Sequence, residues 1–357
     1  MPKIKINEKY IGGDFPCYTI AEAGANHDGE LKKAIKLIDA ANEANSDSIK
    51  FQTYDASKLA SKYSPKYWID DKPDETQYEV FSNLDGLSND NWKEIFEYAK
   101  SKSVTCFSTP FDEESVDLLY SLDVPAFKIA SADITHIPLI KHIANKKLPI
   151  FISTGMASDE ETQQAIETIE NEGNDQIIIM HCITSYPTEA KNANLELIRS
   201  LKEKYSKYVI GYSDHTIGTN IPVYSTFYGA TCIEKHFTFD TSLTQSPDHK
   251  LSLDINGFRQ LVNELRLAEI SKGSTIRDNF ESEKNAIKYA RRSIIASRDI
   301  DVGEKISKDM LNIKRPATGI LPKFFDESYF NLESIFGKTV KIKIQEDRPI
   351  QWDELNE

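Results

Sequence analysis

Eight short apolar runs, most of them followed by a segment of helical periodicity, constrain this chain more than any other feature. They are YTIAEAG (18–24), SIKFQTY (48–54), TCFSTPF (105–111), AFKIAS (126–131), IFISTGM (150–156), IIIMHCI (177–183), VIGYSDH (209–215) and CIEKHFT (232–238). Each reads as a buried strand, rich in β-branched and aromatic residues. Between them lie segments such as LKKAIKLIDAANEA, in which Leu31, Ala34, Ile35, Ile38 and Ala41 share one face, and DEESVDLLYSL, with acidic residues in its first turn. Strand alternating with helix eight times predicts an α/β fold, a (β/α)₈ TIM barrel of about 250 residues. It would span residues 1–272, including a short N-terminal extension.

One interval is too long for a plain helix. Residues 55–90, containing KYSPKYWIDDKPDETQYEV, form an insertion after the second strand, which is the catalytic face of such a barrel. After about residue 272 the pattern changes to a polar linker (273–290), and from Arg291 to 357 to short strands and turns: RSIIASRDI, DVGE, KRPATGILP and KTVKIKIQEDRPI. This predicts a small β-rich domain whose thin core requires docking on the barrel or on a partner subunit.

The 43 Lys and Arg against 56 Asp and Glu leave a net charge of -13, which repels nucleic acid and anionic membrane. An anionic ligand must then be held by local basic residues. Cys17, Cys106, Cys182 and Cys232 are widely spaced with no CxxC pair, which reads as buried free thiols in a reducing compartment. The N-terminus lacks the apolar stretch of a signal peptide, and no run of about 18 apolar residues occurs. A cytoplasmic protein that binds neither nucleic acid nor membrane is expected.

In this kind of barrel the chemistry sits at the C-terminal ends of the strands, and all eight ends here are polar. They carry Glu22 with Asn26 and His27, Lys50 with Gln52, Thr109 with Asp112, Lys128 with Ser131 and Asp133, and Ser153 with Thr154. The remaining three carry Thr184 with Tyr186, Ser213 with Asp214 and His215, and Glu234 with Lys235 and His236. Residues two apart in a strand share a face, so Glu234 and His236 can point together into the barrel mouth. His215 ends the neighbouring strand, and two imidazoles with Glu22 or Glu234 near them make a candidate divalent-metal site. Hydrogen bonding within a polar layer is the alternative for both histidines.

Lys50, Lys128 and Lys235 lie in otherwise apolar strands beside the hydroxyls of Thr109, Ser131, Ser153 and Ser213. Buried ammonium groups need an anion or a carboxylate. They either hold a small, multiply charged anion such as a phosphorylated carboxylate, or pair internally with Glu22, Asp133 and Glu234. A Schiff-base lysine, Lys128 or Lys235, is a third possibility that this pattern alone leaves open.

With these residues assembled, the chain resembles the sialic acid synthase family over nearly its whole length. The motifs are IAEAGANHDG, IKFQTY, FSTPFD, FKIASAD, STGM, HCITSYPT, GYSDHTIG, IEKHFT and SPDHKLSL, and the tail RRSIIASRDIDVGE with KRPATGI is similar to the antifreeze-like (SAF) domain that closes these enzymes. The resemblance implies condensation of phosphoenolpyruvate with N-acetylmannosamine or a related N-acetylated hexosamine, giving a nonulosonic acid and phosphate. It implies phosphoenolpyruvate binding by Lys50, Thr109, Lys128, Ser131, Ser153 and Ser213, with Thr184 where an Asn or Ser often serves. It further implies manganese or magnesium on His215 and His236, with Glu22 beside them, and sugar contacts from Gln52, Asp133, Tyr186 and Asp248. Arg315 matches an arginine that reaches the sugar from the other subunit of a domain-swapped homodimer. Glu22 or Glu234 would handle the attacking water.

Three positions depart from the family pattern: Asp133 where many bacterial members have Glu, Thr184, and GILP in place of the more usual GISP beside Arg315. The first and third bear on the acceptor sugar, so legionaminic and pseudaminic acid synthases, which share the frame, stand as alternatives. SPDHK looks more like the sialic and legionaminic branches. A glycan-binding or ice-interacting protein using the barrel only as a scaffold is the non-enzymatic alternative.

Overall fold

A computed structural model describes residues 2–68, 72, 74–277, 280–325 and 334–356. Part of the insertion read at 55–90, residues 69–71 and 73, lies outside the described residues. The chain divides into two compact units, Met1–Gly273 and Ser274–Glu357.

The first unit opens with an antiparallel hairpin, β1 (Lys3–Ile6) and β2 (Lys9–Gly12), where the sequence reads only as a short N-terminal extension. Among the described residues, eight parallel strands then close into a barrel: β3 (Tyr18–Gly24), β4 (Ser48–Thr53), β5 (Thr105–Pro110), β6 (Phe127–Ile129), β7 (Ile150–Ser153), β8 (Ile177–Cys182), β9 (Val209–Asp214) and β10 (Cys232–His236). All eight coincide with the eight apolar runs. β10 pairs with both β9 and β3, which closes the ring.

Strand alternation separates two cores. Ala21, Ala23, Ile49, Phe127, Ile129, Ile152, Ile179, Tyr212 and Ile233 face outward under the helices. Tyr18, Ile20, Phe107, Phe151, Ile178, Met180, Val209 and Cys232 fill the barrel, and Ile6 and Ile11 of the hairpin pack into the same cluster. The hairpin is therefore a plug. Ile6 and Ile11 are fully buried by it, which contributes about 1.5–3 kcal/mol each.

The helices start where side chains can cap them. Asp112 accepts the Ser115 N–H at the start of Glu113–Ser121, and Ser158 with Glu161 forms a capping box for Asp159–Asn171. Asp112, read as a strand-end polar residue, thus holds a helix end. Within the insertion, helices Ala56–Leu59 and Gln77–Leu84 fold back over β4 and the turn after β3.

The second unit pairs β11 (Ser293–Ala296) with β12 (Leu311–Lys314) and β13 (Thr339–Val340) with β14 (Leu355–Asn356) around its own core of Ile294, Ile300, Ile306, Ile320, Ile344 and Ile350. The segment read as a linker includes a short helix, Lys284–Ala290. All four cysteines are buried and unpaired. Among the described residues no helix is long and apolar enough to cross a membrane.

Candidate active site

The alternation that builds the barrel core also builds the site. Above the apolar layers, the next inward positions are Glu22, Lys50, Gln52, Thr109, Lys128, Ser153, Ser213, Glu234 and His236. Register brings them side by side: His236 is opposite Glu22, Glu22 opposite Lys50, Gln52 opposite Thr109, and Glu234 opposite Ser213.

Two of the three lysines meet there. The Lys50 ammonium lies 2.5 Å from Glu22 Oε2 and 3.7 Å from Glu234 Oε2, and donates to Thr109 Oγ1 at 3.0 Å. Lys128 is held more loosely, donating to the Ile129 carbonyl at 3.2 Å and lying 3.9 Å from Glu234. Ser213 donates to Glu234 Oε1 at 2.9 Å, and Gln52 Nε2 donates to Glu22 Oε1 at 3.2 Å.

Lys235 does not join them. It has the outward parity of Ile233, and its ammonium lies 2.6 Å from Asp214 Oδ2 with a second hydrogen bond to the Thr216 carbonyl, fully buried. Its grouping with Lys50 and Lys128 is corrected by that one-residue step: it is an internal ion pair under the helices. Asn26 is likewise structural, donating to the Phe237 carbonyl and to Ser252 Oγ.

The neighbouring lysines set the two equally buried carboxylates apart in pKa. Desolvation raises Glu22 to about 7 against the pull of Lys50, whereas at Glu234 the desolvation is outweighed by Lys128 and Lys50 and its pKa falls. Desolvation lowers Lys128; at Lys50 it is overcome by Glu22 and Glu234, so that pKa rises. Asp133 is raised by burial to about 6, and Asp248 is raised by burial as well.

Beside this layer a wall of hydroxyls is incompletely bonded. Ser131 Oγ accepts the Gly155 N–H at 3.0 Å, while Ser153 Oγ, Thr184 Oγ1 and Asp133 Oδ2 are buried with no hydrogen-bond partner among the described residues. Gly155, which sequence reasoning missed, is essential to this wall, because a Cβ there would stand 2.3 Å from Thr184 Oγ1 and 2.7 Å from Ser131 Oγ.

The imidazoles of His215 and His236 come together with ring centroids 5.3 Å apart. His215 Nδ1 bonds to the Ile183 carbonyl at 2.8 Å, which orients the ring and leaves Nε2 free as a ligand. Burial works against the charged form of His215, but Cys182, 3.8 Å away, and the Ile183 carbonyl outweigh it and hold the ring up at about 9, so a cation binding there would displace the Nε2 proton. His236 Nδ1 is buried with no hydrogen-bond partner among the described residues, 3.6 Å from Asp248 Oδ2, and burial together with the cations around it holds its pKa well below the usual value. A buried, unpartnered ring nitrogen beside an oriented imidazole fits a divalent cation. Among the described residues no third His, Cys, Asp or Glu completes a ready-made ligand set, so other positions would fall to substrate and water.

Tyr186 lies over both histidines, 4.3 Å from His215 and 6.2 Å from His236 between centroids. Tyr67 of the insertion packs on Tyr186 at 6.1 Å. No local pattern marked Tyr67, since only the folded insertion brings it there. Arg315 belongs to the second unit, exposed just after β12.

Comparison with known proteins agrees with this architecture. The NeuB family matches residues 37–277 and the SAF domain residues 291–356. N,N'-diacetyllegionaminic acid synthase of Legionella pneumophila is 37% identical over 98% of both chains. Pseudaminic acid synthase of Campylobacter jejuni is 37% identical over 88% of this chain and 91% of its own. The crystal structure of N-acetylneuraminic acid (sialic acid) synthetase from Leptospira borgpetersenii serovar Hardjo-bovis, in complex with citrate, superposes with a TM-score of 0.71 at 32% identity, covering 80% of this chain and 95% of that one. These matches, over most of the chain, make it a member of the NeuB family of sialic-acid-type synthases, with a SAF domain following the barrel.

Proposed function

We propose that the protein condenses phosphoenolpyruvate with N-acetylmannosamine or a related 2-acetamido hexose, giving N-acetylneuraminate or a related nonulosonic acid and phosphate. What carries this reading is the presence of two inward lysines beside buried hydroxyls, Ser153 and Thr184, that have no hydrogen-bond partner among the described residues. A multiply charged anion satisfies both at once.

The anion is held by Lys50, Lys128, Thr109, Ser131, Ser153, Thr184 and Ser213. Gln52, Asp133, Tyr186 and Asp248 meet the sugar, joined by Arg315 from the partner subunit of a domain-swapped homodimer. His215 and His236 would hold manganese or magnesium, which would supply Lewis-acid polarisation of the sugar aldehyde. Lys50 and Lys128 keep the enol in line with the aldehyde, so that its methylene carbon forms the new C–C bond while the aldehyde C=O π bond opens and its oxygen takes up a proton to become a hydroxyl. Water then adds at the phosphate-bearing carbon, and the C–O bond to phosphate breaks. Glu22, with a pKa near neutrality, accepts the proton of that water, while Glu234 stays ionised and stabilises the positive charge building at that carbon. The depressed pKa of Lys128 also suits a Schiff-base aldolase, which would work in EDTA and be trapped on Lys128 by borohydride.

The direct test is phosphate release from phosphoenolpyruvate with manganese against N-acetylmannosamine, its 6-phosphate and the diacetamido-dideoxy hexoses of the legionaminic and pseudaminic branches. Release with one acceptor, abolished by EDTA, is expected and fixes the branch. Folded, metal-loaded protein that is silent across the panel sinks the reading.

A further inference from the structure

The turn after β3 carries a histidine that the reaction outlined above does not use. His27 Nδ1 accepts the Gly29 N–H at 3.0 Å, which assigns the proton of the neutral ring to Nε2. That Nε2 is buried and has no hydrogen-bond partner among the described residues. The ring is packed between Phe51 and Trp92, at centroid distances of 6.1 and 5.8 Å. Burial holds its pKa down at about 4, so at neutral pH it offers a standing N–H donor and no charge.

His27 borders a small cavity lined also by Gln52, Tyr54, Asp85, Trp92 and two leucines of the insertion, with room for one water-sized group. The Tyr54 hydroxyl is a second buried polar atom with no hydrogen-bond partner among the described residues, although its ring is held by Phe81 and Phe111. Unpaired buried groups cost about 1–3 kcal/mol each, and two residues that each carry one, lining the same cavity, point to a ligand atom that satisfies both. Gln52 connects the cavity to the site, since it lines the cavity and also donates to Glu22 Oε1 at 3.2 Å. The lining contains a carboxylate, Asp85, and no lysine or arginine, so it does not suit phosphoenolpyruvate.

We propose that this cavity is a specificity subsite for the acceptor, in which His27 Nε2–H and the Tyr54 hydroxyl bind one oxygen of the sugar, a hydroxyl or an acetamido carbonyl, beside Gln52. The proposal deepens the synthase reading and rests on it. A site built to hydrogen-bond an oxygen penalises an acceptor that lacks it.

The test is steady-state phosphate release by Tyr54→Phe, which removes only the hydroxyl, using the best acceptor and analogues of it that each lack one oxygen substituent. The expected result is an acceptor KM raised about tenfold and a phosphoenolpyruvate KM within about twofold of wild type, with the preference over one analogue shrinking by the same factor as the acceptor KM rises. His27→Asn carries the same expectation, so a folding defect in one variant leaves the other to decide. Wild-type acceptor KM and unchanged preference in a folded variant overturn the subsite, mark the cavity as the place of a structural water, and leave the synthase reading intact. Wild-type enzyme that releases no phosphate with any acceptor overturns both.

Discussion

Lys128 and Lys235 lie in similar apolar strands, yet strand parity gives them opposite fates, and that difference is measurable. Lys235→Met leaves the Asp214 carboxylate buried without its cation, which should cost about 3–5 kcal/mol of stability in urea unfolding. Lys128 is only loosely paired, so Lys128→Met should unfold near the wild-type midpoint while phosphate release falls by a factor of about 100 or more. The opposite pattern, an unstable Lys128 variant and a stable Lys235 variant, would refute the division of roles. His27 supplies a pH prediction. Its folded pKa of about 4 lies below the ordinary 6.5, with desolvation the main cause and neighbouring Asp28 opposing it. The unfolded chain therefore binds the extra proton first as pH falls, so this contribution is complete above pH 6.5 and is lost towards pH 4, amounting to about 3 kcal/mol. His27→Gln should flatten that part of the stability curve, measured by urea unfolding between pH 7 and 4; an unchanged slope would exclude His27 as its source.

At the scale of elements, the turn after β7 makes a specific demand. Gly155 carries no positive φ, so alanine is allowed by the backbone and excluded by the side chains of Thr184 and Ser131. Gly155→Ala should raise the phosphoenolpyruvate KM about tenfold or more while costing about 1–3 kcal/mol, as overpacking does; a loss of stability with an unchanged KM would move the anion elsewhere. The hairpin predicts the reverse. Ile11→Ala, at the far end of the barrel, should cost about 2–5 kcal/mol and leave KM values alone. These elements also divide what was legible in the sequence from what was not. The eight strands were readable because each is a short run buried on both faces, and their polar ends carry most of the candidate site. The outward turn of Lys235 was also implicit in its parity with Ile233, yet charge alone grouped it with Lys50. The hairpin plug was missed because KIKINEKYIGG alternates over two strands of only four residues each. Tyr67, Gly155 and the His27 cavity depend on contacts between segments distant in sequence, for which no local spacing is diagnostic.

At the scale of the whole molecule, the barrel presents apolar side chains that a lone subunit leaves in water. Tyr224 and Phe227 on helix Asn220–Tyr228 and Leu267 and Ile270 on the adjoining helix Ile255–Lys272 are all exposed, Ile270 by 80%. Apolar residues on adjoining helices favour association. The proposed homodimer predicts a sedimenting species of twice 40.5 kDa, dissociated by Phe227→Asp combined with Ile270→Glu. Its functional consequence is sharper. If Arg315 serves the partner's barrel, Arg315→Ala and Lys128→Met are each inactive alone but complement each other, because one of the two sites in a mixed dimer carries neither lesion. Random reassociation of equal amounts makes half the dimers mixed, so about a quarter of wild-type phosphate release should return. If each SAF domain serves its own barrel, every site keeps one lesion and no activity returns. Recovery near a quarter, rising and falling with the mixing ratio, would establish the exchange of domains; its absence in samples that sediment as mixed dimers would exclude it.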